Sequence, residues 1–230
     1  MELSEVLKNN DYPGRGIFIG RSSDDRKAVI VYFLTGRSEG SRNRIFVNTV
    51  DGIRTESFDV SKLPDPSLYV YSAVRMCGDS TIVTNGDQTD TICAFLSEGK
   101  TFEDALRTRT FEPDALYTPR ISGIVYADGT YKLSILKSMS DRSSNVLRFF
   151  YEYMQPAAGT GHLIQTYRGD LNLVLPFAGE PIQTEFLGDI ESFANDIWSA
   201  LNTERKVSLY VRYINIDGGE YQTILINKNR

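Results

Sequence analysis

The sequence predicts an α+β protein built on antiparallel sheet. Three observations carry that expectation. Aromatic and β-branched side chains fit a pleated, half-buried surface, and the 230 residues include 13 Tyr and 12 Phe. Short apolar runs are punctuated by turn residues, and Asp128-Gly129 between two of them is the strongest hairpin signal. Segments of helical period stand in blocks apart from the strands, which disfavours an alternating parallel α/β fold.

In chain order, Leu3, Val6 and Leu7 recur at helical spacing and predict a short helix within residues 1–10. The turn 12–16 leads into a strand at 17–20, and 28–35 reads as a buried strand. Further strands are expected at 45–50, 56–60, 68–76 and 81–84. A helix follows at 87–98, carrying Ile92, Phe95 and Leu96 and closed by Gly99. Thr101 is placed to cap a second short helix with Glu103 and Asp104 in its first turn. Strands resume at 121–126 and 130–137, on either side of Asp128-Gly129, and segments 146–153 and 163–167 also read as extended. Ile190, Phe193, Ala194, Ile197, Trp198 and Leu201 form one apolar helix face. A hairpin closes the chain, 207–216 and 221–227 around Asp217-Gly218-Gly219.

Length fits a single domain spanning 1–230 with a substantial core. The net charge of −5 argues against nucleic acid as a partner, because phosphate neutralisation needs a basic surface; a local Arg cluster still admits a small anionic substrate. The N-terminus lacks the basic and apolar regions of a signal peptide, and the longest apolar run, 28–34, is too short to cross a bilayer. Cys77 and Cys93 make no disulfide framework, and together with the missing export signal they point to the cytoplasm. One histidine and two separated cysteines make a poor metal set. Neither a phosphate-binding P-loop nor a G-x-S-x-G nucleophile elbow occurs. Chemistry therefore falls to Arg, Tyr, Asn and carboxylates, with no metal and no cofactor expected.

Three clusters offer that chemistry, each with a plain structural alternative. Residues 36–44 hold Arg37, Arg42 and Arg44 among Gly, Ser and Asn, which suits phosphate binding or a solvated loop. Residues 84–90 run from a strand end into a helix start, where free N–H groups meet anions or where Asp87 or Thr89 simply caps the helix. Residues 111–120 place Glu112, Asp114 and Arg120 near a Thr-Pro step, as proton-transfer groups or as a surface ion pair. His162 alone is no constellation, Tyr167 to Asp170 is ambiguous, and the aromatic run 149–153 suits cross-strand pairs better than base stacking.

Taken together, Gly14-Arg15, Gly36-Arg37-Ser38 with Arg42, Val70-Tyr71 with Arg75, Gly78-Asp79, Thr84-Asn85-Gly86, Thr89-Asp90-Thr91-Ile92 and Thr118-Pro119-Arg120-Ile121 resemble the archaeal-type IMP cyclohydrolases and their bacterial relatives in order and spacing. The resemblance covers about residues 12–125. It implies a four-layer αββα sandwich similar to the N-terminal-nucleophile hydrolases but without the nucleophile, in keeping with Glu2 after Met1. It further implies dehydrative ring closure of the formamidoimidazole-carboxamide ribonucleotide to IMP, a purine nucleotide, without cofactor. Carried over by position, the catalytic residues are Arg42, Tyr71 and Glu112, with Arg15, Arg37, Asn85 and Arg120 as substrate contacts. Glu39-Gly40-Ser41 departs from the family loop Arg-Ser-Phe-Pro-Asn-Arg, leaves Arg44 as a competing catalytic Arg, and sets an acidic group beside the site. That departure keeps two other readings open, a sister hydrolase or cyclase on a different nucleotide-like amide and a non-enzymatic nucleotide-binding protein. A homo-oligomer is compatible with the sequence.

Overall fold

A computed structural model of the chain describes residues 1–62, 69–140, 144–169 and 174–229. The described chain is α+β, and every pair of strands in its sheets runs antiparallel. One sheet has six strands: β1 (Arg15–Arg21), β2 (Lys27–Thr35), β10 (Thr160–Gln165), β13 (Ile182–Glu185), β14 (Lys206–Asn215) and β15 (Tyr221–Asn227), ordered β13-β10-β1-β2-β14-β15. The other has seven in sequence order: β3 (Arg44–Asn48), β4 (Gly52–Ser57), β5 (Ser72–Cys77), β6 (Ser80–Thr84), β7 (Arg120–Val125), β8 (Tyr131–Ser138) and β9 (Val146–Tyr153). A two-stranded ribbon joins β11 (Tyr167–Arg168) to β12 (Leu175–Pro176).

Strand alternation decides where each side chain goes. Ile17, Ile19, Tyr32 and Tyr210 from the six-stranded sheet share one core with Phe46, Val74, Ile121 and Leu133 from the seven-stranded sheet, so the two sheets pack face to face. On the opposite face of the six-stranded sheet, Phe18, Val31 and Leu209 pack under α1 (Leu3–Lys8) and α5 (Ile190–Ala200). Ile82, Ile124 and Leu136 of the seven-stranded sheet pack under α3 (Gln88–Ser97) and α4 (Phe102–Arg107). The expected apolar stripe of α5 is buried at Ile190, Phe193, Ala194 and Ile197. Thr101 caps α4 as expected, its Oγ1 accepting from the Asp104 N–H at 3.1 Å. The β7–β8 hairpin turns at Gly129, whose φ of +78° suits a residue without a Cβ.

Several expectations need correction. The strand expected at 56–60 instead spans Gly52–Ser57, because Asp51-Gly52 makes the turn after β3; the chain then leaves the sheet into a 3₁₀ turn, Val60–Lys62, where the Asp59 carboxylate accepts from Ser61. Residue 68 of the expected 68–76 strand lies outside the described residues, and β5 begins at Ser72. The ribbon β11–β12 and the edge strand β13 had no expectation of their own. The largest correction concerns cysteine. Cys77 at the end of β5 and Cys93 on α3 are joined in a disulfide with Cα atoms 5.6 Å apart, which weakens the cysteine argument for a reducing compartment. None of the described helices is long and apolar enough to cross a membrane.

Candidate active site

The ends of β2 and β6 and the starts of β1, β3 and β7 meet at one end of the packed sheets, and several of the expected residues gather there. Arg15, at the start of β1, is only 11% exposed in its side chain, and Glu112, in the loop before β7, is 5% exposed. The Arg15 Nη2 donates to Glu112 Oε1 at 3.2 Å and Oε2 at 3.1 Å. Gly14 is what lets Arg15 take this place: its φ is +72°, and a Cβ there would fall 2.1 Å from Thr166 Oγ1.

Glu112 is aimed inward by its own loop. Its N–H donates to the Thr118 carbonyl at 2.9 Å, and the Asp114 carboxylate gathers the Leu116 and Thr118 N–H groups at 3.2 and 2.9 Å. Asn85, at the end of β6, holds the carboxylate from the side, with Nδ2 donating to Glu112 Oε1 at 3.0 Å and to the Pro119 carbonyl at 2.9 Å. Asn85 Oδ1 accepts from the Ile121 N–H at 2.9 Å and from Gln88 Nε2 at 3.1 Å. Both donors and both lone pairs of the amide are thus in use, which makes Asn85 a positioning residue rather than a free substrate contact.

Tyr71 lies just before β5, buried in the core between the sheets. Its hydroxyl is 2.8 Å from that of Tyr32 on β2, and the Tyr32 ring stacks on Phe46 at 5.4 Å. Glu112, Tyr71, Tyr32 and Tyr167 all lie close to the Arg15 guanidinium, so Tyr71 and Glu112 come together around it.

Which arginine joins them is the main surprise. Arg44, first residue of β3, is 3% exposed and interacts with Arg15, Tyr71, Tyr32 and Glu112. Its Nε donates to the Ser41 carbonyl at 3.0 Å, its guanidinium lies 5.3 Å from the Tyr69 ring, and its Nη1 is buried without a hydrogen-bond partner. Arg42 lies outside this cluster, on the short helix α2 (Glu39–Arg42), with Nη1 turned back to the Arg37 carbonyl at 2.7 Å in an exposed setting. The turn packs tightly on Gly36, where a Cβ would fall 2.8 Å from the Arg42 nitrogen. Strand alternation was the available signal: Arg44 is two residues from Phe46 on β3, so it shares that core-facing side.

The remaining expected contacts divide. Arg37 is exposed at the rim, its guanidinium 5.8 Å from the Tyr12 ring, which stacks on Tyr167. Arg120 is buried but engaged, with Nη1 2.6 Å from both Gln88 Oε1 and Asp87 Oδ1, so it ties the start of α3 to β7. Asp87 pairs with Arg109 as well and does not cap α3 through its side chain. Glu39 points away from the cluster to Lys62, 2.9 Å away on the surface. His162 sits on β10 rather than in a loop, stacked on Tyr153 and 2.7 Å from the Tyr131 hydroxyl, near the opposite end of the sheets. A cavity of about 390 Å³ lined by Asp79, Tyr126 and Asp217 also opens at that far end.

The electrostatics suit a proton acceptor beside positive charge. Burial pushes the Glu112 carboxyl up, with Arg15 and Arg120 offsetting only part of the effect. Burial also pushes the Tyr32 hydroxyl well up and keeps it protonated. Two buried guanidiniums, Arg15 and Arg44, face one buried carboxylate, which leaves excess positive charge in a dry site. Among the described residues, no group of three or more His, Cys, Asp or Glu is arranged to hold a metal.

Comparison with known proteins bears on the same arrangement. The profile of the family described as IMP cyclohydrolase-like protein matches residues 12–219, well past the 12–125 over which the sequence resemblance was legible. The IMP cyclohydrolase of Methanococcus maripaludis strain C7 is 26% identical over 200 residues, covering 82% of this chain and 93% of that protein. The IMP cyclohydrolase of Methanosphaera stadtmanae is 32% identical over 130 residues, 54% of this chain and 63% of that protein. That of Methanothrix thermoacetophila is 34% identical over 125 residues, 50% of this chain and 57% of that protein. A match of this extent, over a chain whose Tyr71 and Glu112 meet around Arg15, settles the family: the chain belongs to the IMP cyclohydrolase-like proteins.

Proposed function

We infer that this chain is an IMP cyclohydrolase, a hydrolase of cyclic amidines that closes 5-formamidoimidazole-4-carboxamide ribonucleotide to IMP. The relatives that cover most of its length carry that name. The observation that carries the reading is the buried Glu112, held by Arg15 and Asn85 beside Tyr71 and Arg44. We read the whole chain as one cytoplasmic domain in a four-layer αββα arrangement like that of the N-terminal-nucleophile hydrolases. The core shared by both sheets and the helices on each outer face support that reading.

In the reaction, the carboxamide nitrogen attacks the formyl carbon of the same molecule. A C–N bond forms, and the formyl π electrons move to oxygen. Glu112 accepts the proton released by the carboxamide nitrogen. Its Oε2 is the freer oxygen, bonded only to Arg15, whereas Oε1 also takes Asn85. The Tyr32 and Tyr71 hydroxyls share one hydrogen bond; in this scheme Tyr32 is its donor, which leaves the Tyr71 proton to point at the developing oxyanion. Arg44 supplies positive charge there, in the role that sequence position gave to Arg42. The carbinolamine then loses water. Its oxygen departs with two protons, one from the carboxamide nitrogen by way of Glu112 and one from the formamide N–H, and the C=N bond closes the ring. Holding one conformer of the substrate contributes through proximity. Arg37 at the rim remains a substrate contact in this scheme, and no metal or cofactor takes part.

The direct experiment follows conversion of the formylated nucleotide by absorbance and identifies IMP in the product by NMR. Turnover with IMP as product supports the enzyme. Tight IMP binding without turnover supports a nucleotide-binding protein instead.

A further inference from the structure

A cleft of about 610 Å³ opens at the same end of the sheets as Arg15 and Glu112 but on the far side of β7, between the 115–117 loop, the end of β8 and the β11–β12 ribbon. Leu116, Tyr117, Ser140, Leu175 and Pro176 line it, together with Lys137, and none of its described lining residues is acidic. Tyr131, Leu133 and Ile135 of β8 face the core between the sheets, so alternation turns Lys137 inward with them.

The Lys137 ammonium donates to the Phe177 carbonyl at 2.9 Å and lies 5.5 Å from the Phe149 ring. Among the described residues no carboxylate stands within ion-pair distance of it. The nearby charge is Arg168, another cation, on β11. Burial, with that like charge added, pushes the ammonium down. A half-buried lysine beside an arginine, in a cleft whose described residues include no carboxylate, is set to meet an anion supplied from outside the chain.

The cleft communicates with the reacting groups through three contacts. Lys137 holds the Phe177 carbonyl, the Phe177 N–H donates to the Thr166 carbonyl at 3.0 Å, and Thr166 Oγ1 accepts from the Arg15 N–H at 3.1 Å. Lys137 on β8 and Asn85 at the end of β6 are separated laterally by one strand, about 10 Å across two strand spacings. That is the scale of a ribose phosphate reaching away from its base.

We propose that this cleft is the phosphate subsite of the enzyme, with Lys137 contacting the 5′-phosphate of a nucleoside monophosphate and Arg168 adding charge at the rim. The inference rests on the nucleotide reading of the preceding subsection. It adds a specificity determinant: the cleft selects a phosphate monoester, and the nucleoside lacking it gains nothing from Lys137.

Titration calorimetry with ribose 5-phosphate, a ligand without base, tests it on the full chain. Ribose 5-phosphate binds the wild type, Lys137→Met weakens that binding about tenfold or more, and Lys137→Arg restores most of it. KM for the formylated nucleotide rises by about the same factor in Lys137→Met while kcat changes little, and the unphosphorylated nucleoside is handled alike by both proteins. Ribose 5-phosphate binding equally to wild type and Lys137→Met, or not at all to the wild type, overturns the subsite. A wild type that binds ribose 5-phosphate through Lys137 yet forms no IMP upholds the subsite and removes the cyclohydrolase reading. A wild type that forms IMP with KM indifferent to Lys137 does the reverse.

Discussion

Replacing Arg44 by methionine, beside the same exchange at Arg42, separates the two candidates for the catalytic guanidinium. Arg44 is 3% exposed, makes one hydrogen bond to the Ser41 carbonyl, and has one buried nitrogen without a partner. Losing that bond costs about 1 kcal/mol, and removing a buried cation next to Arg15 offsets part of it. The Arg44→Met variant therefore melts within about 4 °C of wild type. Its kcat is a different matter. Deleting one charged donor aimed at a developing oxyanion in a dry site lowers turnover about 100- to 1,000-fold. Arg42→Met loses only an exposed contact to the Arg37 carbonyl and changes stability by about 0.5 kcal/mol or less, with turnover near wild type. Initial cyclisation rates at saturating substrate, read with thermal melts of the same preparations, decide it. Full turnover in Arg44→Met together with a large loss in Arg42→Met would refute the assignment.

Three further outcomes are expected. His162 is held neutral by burial, so its folded pKa lies below the unfolded value of 6.5; the stability it supports is present above that pH and declines as pH falls. Thermal unfolding between pH 7.5 and 5.5 should show that decline, and His162→Phe should flatten it; equal slopes would count against the burial argument. Reducing the Cys77–Cys93 disulfide, which spans 16 residues, should cost about 3 kcal/mol in urea unfolding, and indistinguishable curves with and without reductant would contradict it. Turnover should survive exhaustive chelation, since the proposed steps use only Arg, Tyr and carboxylate groups; loss on chelation with recovery on adding a divalent ion would end the mechanism as written.

Local signals made much of the fold legible. The 3.6-residue period found α5, the Thr101 cap found α4, and Asp128-Gly129 found the β7–β8 hairpin, because each is decided by neighbours in sequence. The ribbon β11–β12 pairs only two residues on each strand, too few for alternation to declare itself, and β13 is a four-residue edge strand with mixed burial. The disulfide depends on β5 lying beside α3, a tertiary fact that two isolated cysteines do not announce.

At the site, residue types were easier to read than directions. Tyr71 and Glu112, expected from position, lie around one guanidinium, whereas Asn85 and Arg120 are bonded within the scaffold. Motif order cannot tell a residue that meets substrate from one that holds its neighbour, because both need the same donors and acceptors. The altered Arg37–Arg44 loop sets Arg42 on a turn and Arg44 on a strand, two residues apart and on different sides of the chain. Lys137 lay beyond the legible resemblance, and as a lone lysine in a strand it gave no sequence signal.

The most direct test of the central claim is the turnover of Glu112→Gln. Gln keeps the size and most of the hydrogen-bonding shape while removing the base. The exchange leaves the Arg15 guanidinium without its anionic partner, so a thermal melt of the same preparation is read beside the rate. Its kcat for ring closure should fall about 100- to 10,000-fold with smaller changes in KM. The wild type should lose activity toward acid as Glu112 protonates, and the residual rate of the variant should not follow that limb. A Glu112→Gln protein that forms IMP at the wild-type rate, with the acid limb intact, would contradict the account.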